Sequence, residues 1–201
     1  MARPRKFQED DVVAAALEQF WSAGYAGTSL DDLTEATGLG RGSLYGAFGD
    51  KHDLFLRTLD EYNASVLAAV AADLRGSDTS GYQRLVTHIR NTADTTVAEA
   101  QRGCLLAKSA AELGSTDQEV LKRVKRLLVK YQSELRAVIE QAQREGDIDP
   151  DADANALALL VLTLLRGSEA LRKAGFTPAK MRAVAEHAIA VLPRAAVASA
   201  P

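Results

Sequence analysis

Aromatic side chains make up only 5% of this 201-residue chain, there is a single cysteine, and no stretch alternates apolar and polar residues with a period of two. Alanine and leucine recur instead at helical spacing, which argues against a sheet-based enzyme and for an all-α fold. One thiol, Cys104, excludes an intrachain disulfide framework and fits a reducing compartment. The opening residues MARPRKFQED lack the apolar core of a secretory leader. The longest apolar run, Ala154 to Leu165 with Asn155 and Thr163 inside it, falls short of the roughly 20 residues that span a bilayer. A soluble, cytoplasmic protein with no membrane partner is therefore expected.

Catalytic patterns are also missing. There is no G-x-S-x-G and no H-E-x-x-H. His52, His88 and His187 are far apart, so neither a metal site, a cofactor nor catalytic residues are expected, and the chain reads as no enzyme. Charge of one sign does not dominate either, since the net charge is −3 and the first sixty residues hold six lysines and arginines against ten acids. A nucleic-acid binder of this composition must concentrate its positive potential locally, in the arm with Arg3, Arg5 and Lys6 and around Arg41 and Lys51.

What the chain does have is glycine in one place. The segment TGLGRGSLYGAFGDK, Thr37 to Lys51, carries five glycines in a helix-rich context. It fits neither G-x-G-x-x-G nor G-x-x-x-x-G-K-[ST]. The residues before it, with Thr28 and Ser29 as caps, Asp31 and Asp32 in a first turn and Leu30, Leu33 and Ala36 at helical spacing, form a helix and not the strand that a nucleotide loop requires. The alternative is a helix-turn-helix. Gly38 ends one helix, Leu39 and Gly40 turn, and a second helix runs from about Arg41 to Phe48.

Around this motif the periodicity predicts a first helix with Val13, Ala16, Leu17, Phe20 and Trp21 on one stripe, and a long helix from Lys51 to about Gly76. Further helices are expected over about 82–101, 103–113, from a cap at Ser115 or Asp117 to about 145, 153–174 and 178–192. The 153–174 helix is apolar nearly all round and calls for burial on more than one side. The cations Lys122, Arg123, Lys125, Arg126 and Lys130 read as the solvated face of an amphipathic helix whose other face is Leu121, Val124, Leu128, Tyr131 and Leu135.

Thr28, Ser29, Leu33, Ala36, Gly38, Leu39, Gly42, Ser43, Leu44, Tyr45, Phe48, Lys51 and Leu54 together resemble the DNA-binding domain of the TetR (tetracycline-repressor-like) family. The resemblance implies an N-terminal three-helix helix-turn-helix domain (1–50, with its arm) joined by a long helix to a larger helical ligand-binding and dimerisation domain (51–201). It implies a repressor that binds a pseudo-palindromic operator as a homodimer, through helices of about 153–174 and 178–192, and is released by a small-molecule effector. Carried over residue by residue, Thr28, Ser29, Arg41, Gly42, Ser43, Tyr45 and Lys51 would face double-stranded DNA. Arg41 suits a guanine edge, Tyr45 a phosphate, and Lys51 sits at a helix N-terminus where a phosphate is favoured. Many relatives carry bulkier residues where this chain has Gly46 and Ala47, which leaves less side chain in the groove.

The segment GCLLAKSAAELG, Gly103 to Gly114, is similar to the corresponding helix of repressors that sense reactive electrophiles through a cysteine. Arg102, Lys108 and Lys173 are candidate cationic partners of Cys104, although a lone cysteine is also an ordinary small hydrophobe. Tyr62, His88, Thr92, Glu112 and Tyr131 are candidate ligand contacts, with packing as the alternative for each. Two other classes stay open at this point: a constitutive DNA-binding protein without effector, and a helical-bundle enzyme or carrier.

Overall fold

The computed structural model describes residues 8–94 and 102–195. The basic arm, residues 95–101 of the helix expected over 82–101, and the last six residues lie outside the described residues. Among those described there are nine helices: α1 (Glu9–Ala23), α2 (Leu30–Thr37), α3 (Arg41–Phe48), α4 (Lys51–Leu74), α5 (Gly81–Ala93), α6 (Leu105–Leu113), α7 (Gln118–Arg144), α8 (Ala154–Lys173) and α9 (Pro178–Ala190). An isolated antiparallel bridge between Ile148 and Arg194 is the one β feature among them.

Local chemistry sets most helix starts. Ser29 and Asp32 form a reciprocal capping box at α2, and Asp50 and Asp53 exchange side-chain to backbone bonds at the start of α4. Asp117 accepts from the amides of Glu119 and Val120 at α7, Asp153 caps α8, and Thr177 with Pro178 at the first position starts α9. Gly38 ends α2 at φ 67, a left-handed conformation that a side chain disfavours, and so makes the turn of the motif.

The chain forms two compact units, 1–66 with 104–126, and 67–103 with 127–201, so the divisions fall inside α4, just before α6 and inside α7. In the first, α1 and α2 pack together and α2 packs on α3. Phe20 is fully buried, with Phe55 of α4 edge-on at 4.9 Å, and Leu33, Leu44, Phe48, Leu54 and Leu59 complete that core. In the second unit α5 packs on α8 and α9, over Leu85, Ile89, Val161, Leu165, Met181 and Ala185.

Two expectations need correction. The buried positions of α7 are Val120, Val124, Leu127, Tyr131, Leu135, Val138, Ile139 and Ala142, while Leu121 and Leu128 are half-buried. Arg123 is not on a solvated face; its side chain is 15% exposed and pairs with Asp60 and Glu119. The apolar run Ala154 to Leu165 is part of a longer helix, for α8 has 20 residues and holds an 18-residue window of mean hydropathy 1.4, long and apolar enough to cross a membrane. Its Val161, Leu162 and Leu165, however, are buried in its own unit, as in the core helix of a globular domain.

The helix α3 is weak by itself. Its cap Gly40 offers no side chain, and Gly42 and Gly46 lie inside its eight residues. A Cβ added at Gly42 or Gly46 would meet nothing within 4 Å. Packing therefore does not demand these glycines, and burial of Leu44 and Phe48 holds the helix in place. Gly46→Ala is expected to raise stability by about 0.5–1 kcal/mol in urea unfolding, the usual gain of alanine over glycine in an exposed helix.

Candidate nucleic-acid interface

The first turns of α3 present Arg41, Gly42 and Ser43 as exposed residues, with Tyr45 45% exposed one turn on. Arg41 is tethered, its Nη2 donating to Asp31 Oδ1 of α2 at 2.6 Å, and this bond raises the guanidinium pKa further. Ser29 is exposed beside them, its hydroxyl committed to the capping box. Lys51, at the start of α4, holds its ammonium over the Tyr25 ring, 4.3 Å from the centroid. Thr28 does not join this surface. It is 1% exposed, and its hydroxyl donates to the Gly24 carbonyl at 2.7 Å, closing the α1–α2 loop.

Four of the sensor candidates gather elsewhere in the same unit. Cys104, Lys108 and Glu112 stand one helical turn apart, on one face of α6 and its cap, as the i, i+4 spacing requires. The Tyr62 hydroxyl donates to Cys104 Sγ at 3.6 Å, and the Tyr62 ring meets Trp21 edge-on at 4.9 Å. Lys108 Nζ donates to the Trp21 carbonyl at 2.6 Å. The Glu112 carboxylate accepts from the amides of Tyr25 and Ala26 at 3.0 and 2.6 Å. The stripe thus reaches the end of α1 and the α1–α2 loop. His52 adds a further tie, Nε2 to Asp117 Oδ2 at 2.6 Å, between the first turn of α4 and the cap of α7.

Two family models match the chain. The model described as bacterial regulatory proteins, tetR family, covers residues 12–58, and that of the tetracyclin repressor-like C-terminal domain covers residues 81–188, more than half of the chain. The chain belongs to the TetR family. It is 27% identical over 184 residues to the HTH-type transcriptional repressor ComR of Escherichia coli, covering 91% of this chain and 88% of that one. It is 30% identical over 155 residues to the HTH-type transcriptional regulator YezE of Bacillus subtilis, covering 74% and 77%. Among solved structures, a cysteine-substituted form of the TetR family regulator CifR, complexed with a 26 bp double-strand operator DNA, superposes with TM-score 0.80 at 29% identity over 96% of this chain and all of that one. The reduced form of Escherichia coli NemR gives TM-score 0.84 at 16% identity over 94% and 98% of the two chains, a likeness of fold.

This TetR-family chain is a DNA-binding transcriptional regulator, and that membership, not the missing motifs, sets aside the enzyme reading. The remaining ligand candidates lie in its second unit. His88 is buried between two partners: Nδ1–H donates to Asp73 at 2.8 Å, which leaves Nε2 to accept from the Tyr131 hydroxyl at 2.6 Å. Arg166 stacks over the Tyr131 ring at 5.3 Å, and the Thr92 hydroxyl donates to the His88 carbonyl. Burial pushes the Tyr131 phenol up to about 12 and the His88 imidazole down. Lys173 lies against Gly103, where an added Cβ would stand 2.9 Å from its Cδ.

Sequence reasoning missed several partners: Asp31, Tyr25, Asp117, Asp73, Arg166 and Arg172. A signal existed for the two arginines, which interrupt a leucine-rich helix at regular spacing. No metal site was expected, yet Asp50, His52 and Asp53 bring one ligand atom each within 4.8 Å of one another. The two aspartates are close because they cap α4 for each other.

Because the folded His88 binds its proton less readily than an ordinary imidazole, stability is fully present above pH 6.5 and is lost as pH falls through the depressed folded value. The melting temperature is expected to drop between pH 7 and 5, and to drop less in His88→Gln. An equal pH slope in the two proteins would remove His88 as the cause.

Proposed function

We propose that this regulator is a repressor that holds a pseudo-palindromic operator as a homodimer and releases it when a small-molecule effector binds or Cys104 is modified. The observation that carries the reading is the exposed first turns of α3, where Arg41, Gly42, Ser43 and Tyr45 stand together on a helix that packing alone would not have furnished with glycines. CifR, a relative in fold and sequence, binds operator DNA. In this reading Arg41 leaves Asp31 for a guanine edge, Gly42 lets the backbone come close to the groove, Tyr45 and Ser43 reach phosphate or base, and Lys51 and Ser29 flank the site. Residues 1–50 would carry DNA contact and 51–201 effector binding and dimerisation, in the cytoplasm.

Pairing is supported by the apolar surface left on the last two helices. Leu159, Leu160 and Leu171 of α8, and Val184 of α9, are exposed, as is Val191 just after it. Association through these residues would set two recognition helices roughly 34–36 Å apart or somewhat more, across successive major grooves. An effector releases DNA only if it binds the non-DNA conformation more tightly. The α6 stripe favours this regulated reading over a constitutive one, since residues 104, 108 and 112 tie one short helix to Tyr62 of α4, to the Trp21 carbonyl of α1 and to the α1–α2 loop in turn, by polar bonds that a small displacement would break.

Selection of DNA from a random pool at low and moderate salt tests the operator directly. Arg41→Ala and Tyr45→Ala should each lose specific binding, by about 1–3 kcal/mol for the arginine, while gel filtration still shows a dimer. Retained specificity would sink the assignment of α3 as the recognition helix. Cys104→Ser should abolish any release by N-ethylmaleimide with operator affinity unchanged; release as in the wild type would dismiss Cys104 as a sensor.

A further inference from the structure

Helix α8 carries three charged residues at three-residue steps, Arg166, Glu169 and Arg172, in an otherwise leucine-rich sequence. Arg172 is 7% exposed. Its Nη1 donates to the Thr92 carbonyl in the last turn of α5, and its Nε is buried with no hydrogen-bond partner. The carboxylate nearest in sequence, Glu169, gives its Oε2 to Arg166 at 2.9 Å. Arg172, the more deeply buried of the two guanidiniums, has a neutral carbonyl as its acceptor and no carboxylate within ion-pair distance among the described residues.

A guanidinium has five donors in a rigid fork and cannot shed its proton in a protein. Left uncompensated in the interior it opposes folding, so such a group is normally paired. Burial does work against its charge, lowering the Arg172 pKa and raising that of Glu169. Elsewhere α5 and α8 bury Leu85, Ile89, Leu162 and Leu165. A group that would complete this arrangement has an oxyanion for the guanidinium and an apolar body for the leucines.

We propose that Arg172 anchors an organic oxyanion, so that the effector of this regulator is an apolar small molecule bearing one carboxylate or phosphate group. Arg166 and the Thr92 backbone flank the anchor. The proposal rests on the effector-released reading above and names the chemical class of its ligand. The competing explanation is that Arg172 only caps the carbonyl end of α5.

Thermal melting with three probes of one chain length separates the two: octanoate, octyl phosphate and neutral octanol. The wild type should be stabilised by one or both anions by several degrees and little by octanol. Arg172→Met should lose that anion shift, with affinity weakened about 10–100-fold as expected for a charged hydrogen-bonded pair. Arg172→Lys, which keeps the charge without the fork, should retain a reduced shift and serves if the methionine variant does not fold. Which anion acts tells carboxylate from phosphate. Equal shifts in wild type and both variants, or no shift by either anion in the wild type, would overturn the anion site. Operator binding measured on the same samples keeps the two readings apart: loss of DNA binding by the wild type would strike the repressor reading, whereas normal DNA binding with equal shifts would strike only this one.

Discussion

Two backbone amides, those of Tyr25 and Ala26, donate to one carboxylate, Glu112, which comes from 86 and 87 residues further along the chain. The amides belong to the loop that follows α1, where no helix or strand supplies them an acceptor, and a charged acceptor makes each bond worth about 1.5–3 kcal/mol before solvent screening of the exposed carboxylate is allowed for. Gly24 makes the approach feasible, since a Cβ there would lie only 3.2 Å from Glu112 Oε2. With this bond in place the direction in which α1 hands the chain to α2 is set, and α3 follows through the Gly38 turn. The orientation of α3, the proposed recognition helix, therefore depends on a residue outside the sequence motif that defines it.

The electrostatics of that helix look unfavourable until magnitudes are compared. Asp31 and Asp32 stand in the first turn of α2, and Arg41 is already paired. The Arg41–Asp31 pair is exposed on both sides, 60% and 75% of its side chains, and an exposed pair is worth at most about 1 kcal/mol. A bidentate guanine contact is worth about 1–3 kcal/mol, so in the proposed complex the guanidinium would gain by leaving. Until then Asp31 holds the side chain in a narrow range of positions, which lowers the entropy lost on binding. In the same proposed complex, glycines at 42 and 46 would offer no side chain to the bases; what they would allow is backbone proximity, with recognition leaning on phosphates and on groove shape.

How much of this was legible in sequence depended on whether a signal was local. The capping box at Ser29, the glycine at 38, the proline at 178 and the apolar stripes are properties of adjacent residues, and the helices appeared where those signals placed them. The family resemblance lay in the same local class, as an ordered run of residues from Thr28 to Leu54. Pairings across the chain were not legible: nothing near Arg41 in sequence marks Asp31 as its partner, and nothing near Glu112 marks the Tyr25 amide. Thr28 shows the limit from the other direction. It matches the motif, yet its hydroxyl satisfies the Gly24 carbonyl and the side chain is buried, so a position can belong to a DNA-binding pattern for the sake of the loop that carries it. The α7 face was misjudged by one residue at Val120 and Leu127, because leucines and valines flank both registers and only packing chooses between them.

The buried polar groups of the second unit differ in a way that bears on switching. His88 is satisfied at both nitrogens, by Asp73 and Tyr131, and a satisfied network of this kind rigidifies a core without asking for anything more. Arg172 is satisfied at one nitrogen by a neutral group. A ligand that completed it, as proposed, would change the free energy of that local arrangement. The coupling needed is modest, since allosteric effects are typically about 1–3 kcal/mol. That is about the worth of a single charge-assisted bond, such as the one from Lys108 to the Trp21 carbonyl or either amide bond to Glu112. In the proposed regulated repressor, losing one contact of the α6 stripe would thus be sufficient in magnitude to change operator affinity by about 10–100-fold, without a wholesale rearrangement of the helices.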